Sequence, residues 1–298
     1  MKLFKYLGVA FQSIRAHKLR AMLTMLGIII GVAAVLVTVG IGSGAAVSIT
    51  ERIESSGTNL LTISAGSRGS SAGSALTMAD ATALANAERF PDFKLVVPQY
   101  SSSATLTNGA SEGSYQVVGT TANYAAAKNL TLASGNFLSA SEVENNSNVV
   151  VLGATVASDL FGGQDPLGQT IRIGDALFRV IGVLETSGSD GFNSSDNQVY
   201  VPINLALGRL FNVSRYRGSY SISSIIVQVI SQEKLDPSAL KIEQTLRLRH
   251  GLGVDDDNDF RVSNQADLLD MASDVSGTLT VLLGGIGAGG RIVGGIGI

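Results

Sequence analysis

The sequence predicts an α+β domain held outside a membrane by an N-terminal transmembrane helix, with the start of a second transmembrane helix at its end. Three observations carry this reading. Residues 21–50 contain no charged side chain, while Lys2, Lys5, Arg15, Lys18 and Arg20 precede them with no acid. All 24 acids fall between Glu51 and Asp274. Between those limits, short runs with a period of two alternate with capped segments of helical period.

The apolar run from Met22 to Ile41 matches the roughly 20 residues that a helix needs to cross a bilayer, and exceeds the ~7–15 residues of a cleaved signal's apolar core. Cleavage at the small residues Gly42 to Ala46 is the alternative. Basic residues are retained on the cytoplasmic side, which places the N-terminus in the cytosol and the chain after about Gly42 outside it. Residues 1–20 then form a cytosolic interfacial helix and 21–42 the first span. Leu3, Leu7, Phe11 and Ile14 recur at steps of three and four, as in a helix lying on lipid headgroups. The same pattern also fits the cytosolic end of a longer membrane helix.

Residues 43–275 form the extracytoplasmic part. Leu60 to Ser64 and Lys94 to Pro98 read as strands, and between them Thr77 and Asp80 have the spacing of a capping box opening a helix with Met78, Ala81, Leu84 and Ala85 on one face. Tyr115 to Gly119 is a strand. Ser139 and Glu142 repeat the S-x-x-E cap, followed by strand Val149 to Leu152 and a short helix from Thr155 to Phe161. Asp165-Pro166-Leu167-Gly168 is turn chemistry. Thr170 to Ile173 and Leu177 to Leu184 make a hairpin around Gly174-Asp175, and Gln198 to Val201 adds a strand. After strand Ser224 to Ile230, Asp236 is read as an N-cap with Pro237 at the first helical position, and Leu235 with Leu240 as a hydrophobic staple. That helix can run to Gly251, with Phe260 to Val262 as the last strand. The organisation expected is a discontinuous αβ subdomain, 58–125 with 222–262, carrying a mainly β subdomain inserted at 126–221. Ser64 to Ser74 and Thr186 to Asn197 are polar loops expected to be mobile.

Residues 276–298 are again apolar and read as a truncated second span. Nine glycines from Gly277 to Gly297 weaken it as an isolated helix, by roughly 1 kcal/mol each against alanine, although glycine permits close helix packing in membranes. Arg291 near its middle costs about 2.5–3.5 kcal/mol on insertion scales.

Composition excludes several classes. Residues 51–274 hold 15 bases against 24 acids, a net charge of −9 that disfavours nucleic acid as a partner. The chain has no cysteine, so thiolate metal sites, disulfides and cysteine nucleophiles are absent from it. His17 and His250, the chain's 2 histidines, lie on opposite sides of the first span, and no G-x-S-x-G elbow occurs. No catalytic, cofactor-binding or metal-ligating residue is therefore assigned, and no cofactor is expected. Asp255, Asp256, Asp257 and Asp259 resemble part of a calcium loop, but Phe260 stands at the glycine position and the distal glutamate is missing, which favours a solvated loop. Asn129, Asn145, Asn193 and Asn212 open N-x-[ST] sequons, informative only in a host that glycosylates.

Residues Leu19 to Val35, read as LRAMLTMLGIIIGVAAV, resemble the first transmembrane helix of the MacB/FtsX-like ABC transporter permeases. Val149-Val150-Val151-Leu152-Gly153, then Ala157, Leu160-Phe161-Gly162, Asp165 to Gln169 and Phe178 to Leu184 are similar to the most recognisable stretch of that family's periplasmic core domain. Val199 to Pro202, Asp259 to Val262 and Val293 to Ile298 match further family patterns in the same order.

The resemblance implies a porter-like αβ subdomain and a non-catalytic permease subunit in the inner membrane, used in efflux or transport. It further implies a separate ABC ATPase subunit, a second permease copy or paralogue, a periplasmic adaptor and surrounding lipids as partners. No G-x-x-x-x-G-K-[ST] occurs in these residues. Helices three and four and the coupling segment of the family are not in this sequence, so a fragment is expected. A single-pass anchored binding or scaffold module is the alternative function, and a membrane-tethered hydrolase a third.

Overall fold

The computed structural model describes residues 59–66, 76–187 and 194–264, together with single helical positions between Lys18 and Gly44. The chain divides into two compact units, Met1–Glu51 with Leu268–Ile298, and Arg52–Asp267. In the first, Met22, Met25, Ile29, Val32, Leu36 and Val37 are helical and each is at least 54% exposed despite being apolar. Among the described residues no helix is long and apolar enough to cross a membrane. Apart from those scattered helical positions, the spans read at 21–42 and 276–298, the helix at 1–20, and most of the two polar loops lie outside the described residues.

The second unit is mixed α and β. Its strands are β1 (Leu60–Ala65), β2 (Phe93–Asn108), β3 (Ser111–Thr120), β4 (Leu132–Gly135), β5 (Val149–Leu152), β6 (Thr170–Ile173), β7 (Ala176–Leu184), β8 (Gln198–Pro202), β9 (Arg215–Tyr216), β10 (Ser219–Tyr220), β11 (Ser224–Val229) and β12 (Phe260–Asn264). Its helices are α1 (Met78–Leu84), α2 (Tyr124–Ala127), α3 (Ala140–Glu144), α4 (Ala154–Phe161), α5 (Ile203–Leu205, running into a π-turn at Ala206–Leu210) and α6 (Leu235–His250). Both capping boxes form. Thr77 and Ser139 accept from the backbone N–H of Asp80 and Glu142, whose carboxylates accept from the caps in return.

Strand pairing follows two patterns that share β2. At one end the order is β12-β1-β11-β2, all antiparallel. In chain order this is β1-α1-β2 and β11-α6-β12, the split β-α-β arrangement in which each helix follows the first strand of its half. At the other end β2, β3, β8, β5, β7 and β6 pair in turn, and β6 returns to β2 through Leu106↔Ile173 and Thr107↔Arg172. The pairing closes into a ring, with β4 hanging off β7. Closure leaves no open edge within the ring, which removes a route to edge-to-edge aggregation. Leu106, Val117, Val150, Leu152, Phe178, Val180, Val199 and Val201 fill it, together with Val156, Leu160 and Phe161 of α4.

β2 extends ten residues past Pro98, where the sequence predicts its end. Proline normally interrupts a central strand because it donates nothing to the ladder. Here β11 pairs with one side of Phe93–Gln99, whereas β3 meets the opposite side only from Tyr100 onward. The Pro98 carbonyl accepts from the Thr120 hydroxyl at 3.2 Å, so the missing donor falls on the β3 side, just beyond the Tyr100–Gly119 pair with which that ladder begins.

The start of α6 corrects the sequence reading. The helix grows out of a 3₁₀ turn at Gln232–Lys234, so Asp236 is already in the first turn rather than at the cap, and Lys234 at the cap position makes no side-chain cap. The staple does not form, since Leu235 is buried while Leu240 is 60% exposed. Five positions at about 100° each carry Leu240 most of the way round to the outer face. The far end agrees with expectation, as Gly251 closes the helix at φ +71°.

Candidate functional site

A charged cluster forms where the C-terminus of α6 meets the N-terminal turn of α1 and the start of β12. Asp80 is held there by its own capping box, being the third residue of α1. One of its oxygens, Oδ2, accepts from the Thr77 N–H at 3.0 Å and from the Thr77 hydroxyl at 2.7 Å. The same oxygen faces His250 Nε2 at 3.3 Å, and Oδ1 accepts from Arg249 Nε at 2.7 Å. On the other side of the imidazole, Nδ1 lies 2.7 Å from Asp259 Oδ1. The Phe260 ring stands edge-on to the imidazole, centroids 5.7 Å apart.

The elements explain why these groups meet. Arg249 and His250 are the last residues of α6, where cations favour the negative end of the helix. The hairpin β9–β10 closes over that end. Arg217 at its tip donates to the carbonyls of Arg249 (3.0 Å) and His250 (3.2 Å), and Ser219 Oγ accepts from the Ala79 N–H at 3.0 Å. Arg247 ties the following loop to the helix, donating to the carbonyls of Asp256 and Gly253 and to Asn258 Oδ1. A cleft of about 100 Å³ opens above, lined by Thr77, Asp80, Tyr216, Arg217, Arg249 and His250 among others.

Electrostatics follow from the contacts. Burial by itself would raise the Asp80 carboxyl, but the hydrogen bonds from His250, Thr77 and Arg249 outweigh it and hold the group well below the usual carboxylate range. The hydrogen bond to Asp80 raises His250 against the opposing effect of burial, and Asp259 adds to the rise. A histidine flanked by an aspartate at Nδ1 is half of a hydrolytic triad. The other half is not built, because Nε2 meets a second carboxylate instead of a hydroxyl, and Thr77 Oγ1 spends its proton on Asp80. The arrangement is a charge clamp.

The sequence reading assigned no site residues, named Asp80 only as the acid of a capping box, and singled out neither Arg217 nor Arg249. It set His250 aside because His17 could not join it, and treated Asp259 as part of an acidic loop. Asp256 accepts from the Gly253 N–H at 2.6 Å, whereas Asp259 turns inward to His250. Among the described residues no group of three or more His, Cys, Asp or Glu side chains is placed to hold a metal ion. The available signals were local ones, the acid at the third position of a capping box and a basic pair before a helix-ending glycine. Nothing in the sequence joined them.

The stretch that carried the family resemblance has a different role. Val150, Leu152, Ala157, Leu160, Phe161, Phe178, Val180, Val199 and Val201 all line the ring's core. The Asp165–Gly168 turn, with Gly168 at φ +74°, hands its N–H to the Val180 carbonyl at 2.9 Å and so docks on β7. This is a packing signature rather than a chemical one.

Residues 21–245 match the family model of the MacB-like periplasmic core domain. The chain belongs to that family. The MacB-like sequence is 35% identical to the macrolide export ATP-binding/permease protein MacB of Azoarcus sp. (strain BH72), over 97% of this chain and 42% of that protein. Against the MacB of Rhodospirillum rubrum identity is 36%, over 98% of this chain and 44% of the relative. The chain thus spans less than half the length of these curated relatives. The fold is shared with the periplasmic region of MacB from Actinobacillus actinomycetemcomitans, at TM-score 0.61 and 24% identity over 76% of this chain and 98% of that one. It is also shared with the extracellular domain of the noncanonic ABC-type transporter YknZ from Gram-positive bacteria, at TM-score 0.56 and 20% identity over 69% and 100%.

Proposed function

We propose that this chain is the membrane-anchored, extracytoplasmic part of an ABC transporter permease, and that it couples ATP hydrolysis on a separate ATPase subunit to export or extraction of substrate. The observation that carries this is the family match from residue 21 to 245, which takes in the charge-free segment and most of the folded domain. The relatives' names include macrolide export, which makes macrolides the first cargo to test.

In this reading residues 1–20 lie on the cytosolic face, 21–42 and 276–298 enter the inner membrane, and 43–275 stand outside. The five bases before the first span and the acidic middle region support that orientation. Residues 58–125 with 222–262 form the αβ part, and 126–221 the inserted β part. The β12-β1-β11-β2 order supports the first grouping, while β3 leans toward the second through its pairing with β8. The subunit is non-catalytic, a reading supported by the two carboxylates that occupy both ring nitrogens of His250. Its partners are the ATPase, a second permease copy or paralogue, lipids and a periplasmic adaptor.

The test is purification of the tagged protein from solubilised membranes of its native host. Recovery in the membrane fraction with an ABC ATPase, whose ATP turnover follows the tagged subunit through gel filtration, is expected. Recovery as a soluble species without any nucleotide-binding partner overturns the proposal.

A further inference from the structure

Hydrogen-bond chemistry sets a requirement at His250 that no other described group shares. A neutral imidazole carries one N–H and one lone pair, whereas the cation carries two N–H groups. Both nitrogens of His250 face carboxylate oxygens, Asp259 Oδ1 at 2.7 Å and Asp80 Oδ2 at 3.3 Å. Only the cation satisfies both. With the proton removed, one lone pair points at a carboxylate and the contact on that side turns repulsive. The shorter bond fixes the remaining proton on Nδ1, toward Asp259, so the Nε2 contact with Asp80 is the one that fails.

The groups around the ring are accounted for element by element. From α1 come Asp80 and the Thr77 hydroxyl, from the start of β12 Asp259 and the Phe260 ring, from α6 itself Arg249, which is bound to Asp80, and from the hairpin β9–β10 Arg217 and Tyr216. Arg217 is engaged with backbone carbonyls. The His250 side chain is 9% exposed and that of Asp80 5%, so water does not readily replace the lost contact.

We infer that His250 is a proton-operated tie: its cation binds the end of α6 to both α1 and β12, and loss of one proton drops the histidine's contact with α1, leaving Arg249 as the remaining link from α6 to Asp80 and the ring joined to β12. The imidazole is raised above its ordinary value by these partners. A group raised on folding contributes fully below the unfolded value and loses its contribution as pH rises through the folded one. The tie therefore holds in acid and opens toward alkaline pH, a direction opposite to that of a histidine buried neutral. The inference concerns the domain itself and stands apart from the transport reading.

The chain has 2 histidines, so His17→Gln leaves a single imidazole to follow. In the full chain in detergent micelles, with ¹⁵N-labelled histidine, both ring nitrogens should report N–H character at pH 6, and the transition to the neutral ring should fall above 6.5. Each unit of rise corresponds to a tenfold preference for the cation. Hydrogen exchange, corrected for its intrinsic pH dependence, should quicken roughly tenfold in residues 246–251 across that transition, the exchange counterpart of about one unit. Asp80→Asn should bring the midpoint down and abolish the change in exchange. A wild-type midpoint at or below 6.5, or equal exchange on both sides of it, overturns the inference. If Asp80→Asn fails to fold, the wild-type midpoint and exchange decide alone.

Discussion

The guanidinium of Arg217 donates to the carbonyl oxygen of Arg249 at 3.0 Å, so the tip of a hairpin with a two-residue loop caps the last turn of a helix 32 positions further along the chain. Arg217 sits at φ +51° and Gly218 at +82°, the two left-handed positions of a tight turn of the primed kind. Arginine is a costly choice there, at roughly 1–2 kcal/mol of backbone strain, and the cap it supplies is worth about as much. Arg217→Ala keeps the strain and loses the cap, and should lower stability by about 1 kcal/mol. Arg217→Gly loses both and should come out near neutral. Urea midpoints of the two variants, compared with the parent, separate the cap from the strain.

Asp80 holds together a cap, an arginine and a histidine while only 4% exposed. Removing its charge should cost about 3–5 kcal/mol, because it leaves Arg249 and His250 without their buried partner. Its carboxyl is held below the ordinary value of 3.8, so its contribution is present above about pH 4 and is lost as pH falls further. Thermal melts from pH 3 to pH 6 should therefore show a falling acid limb in the parent, and a flatter limb from a lower starting point in Asp80→Asn.

Gly135, at the end of β4, has φ +74°, and a methyl group built there would strike the Ile181 carbonyl. Both the conformation and the contact oppose any side chain. Gly135→Ala should destabilise by roughly 3 kcal/mol or more, whereas Gly218→Ala, which meets nothing within 4 Å, should cost only the left-handed strain. Equal denaturation midpoints for the two would refute the steric argument.

The orientation proposed from the basic N-terminus can be read with one reporter active only outside the cytosol. Fused at Gly8 it should be silent, and inserted between Ser67 and Ser74 it should be active. The reverse pattern would turn the whole protein over and remove the basis for the transport reading.

A division into a discontinuous αβ part and an insertion predicts unequal effects of two deletions. The Gln99–Ser224 pairing puts the entry and exit of the intervening chain side by side. Replacing residues 126–221 with a short Gly/Ser link should leave the four strands paired, at a lower melting temperature because Tyr200 leaves the shared core. Ending the chain at 221 removes β11, α6 and β12, and should unfold β1 and α1. Cooperative melting of the second protein but not the first would favour two domains in series.

Sequence legibility followed the range of the interaction. The boxes at Thr77 and Ser139, the β6–β7 hairpin and the glycine stop at Gly251 are decided within a few residues, and all appear where the sequence places them. The run of β2 beyond Pro98 depended on where β3 arrives, and the closure of the ring on Leu106 finding Ile173. Neither is written locally. The Leu235–Leu240 staple was misjudged because the cap lies at Lys234, two residues before Asp236, which puts both leucines inside the helix and on different faces. The clamp was the least legible of all, since residues 80, 250 and 259 come from three elements and each has an ordinary local explanation.

β2 is one unbroken strand from Phe93 to Asn108, about 50 Å long if straight, and both ends are committed to pairing. Its first half is a member of the sheet beside α1 and α6, and its second half is a stave of the closed ring. Its partners change between Gln99 and Tyr100, but its backbone does not break there. A displacement of the sheet at β11 would therefore pass toward the ring along one continuous backbone, with no loop between the two to absorb it.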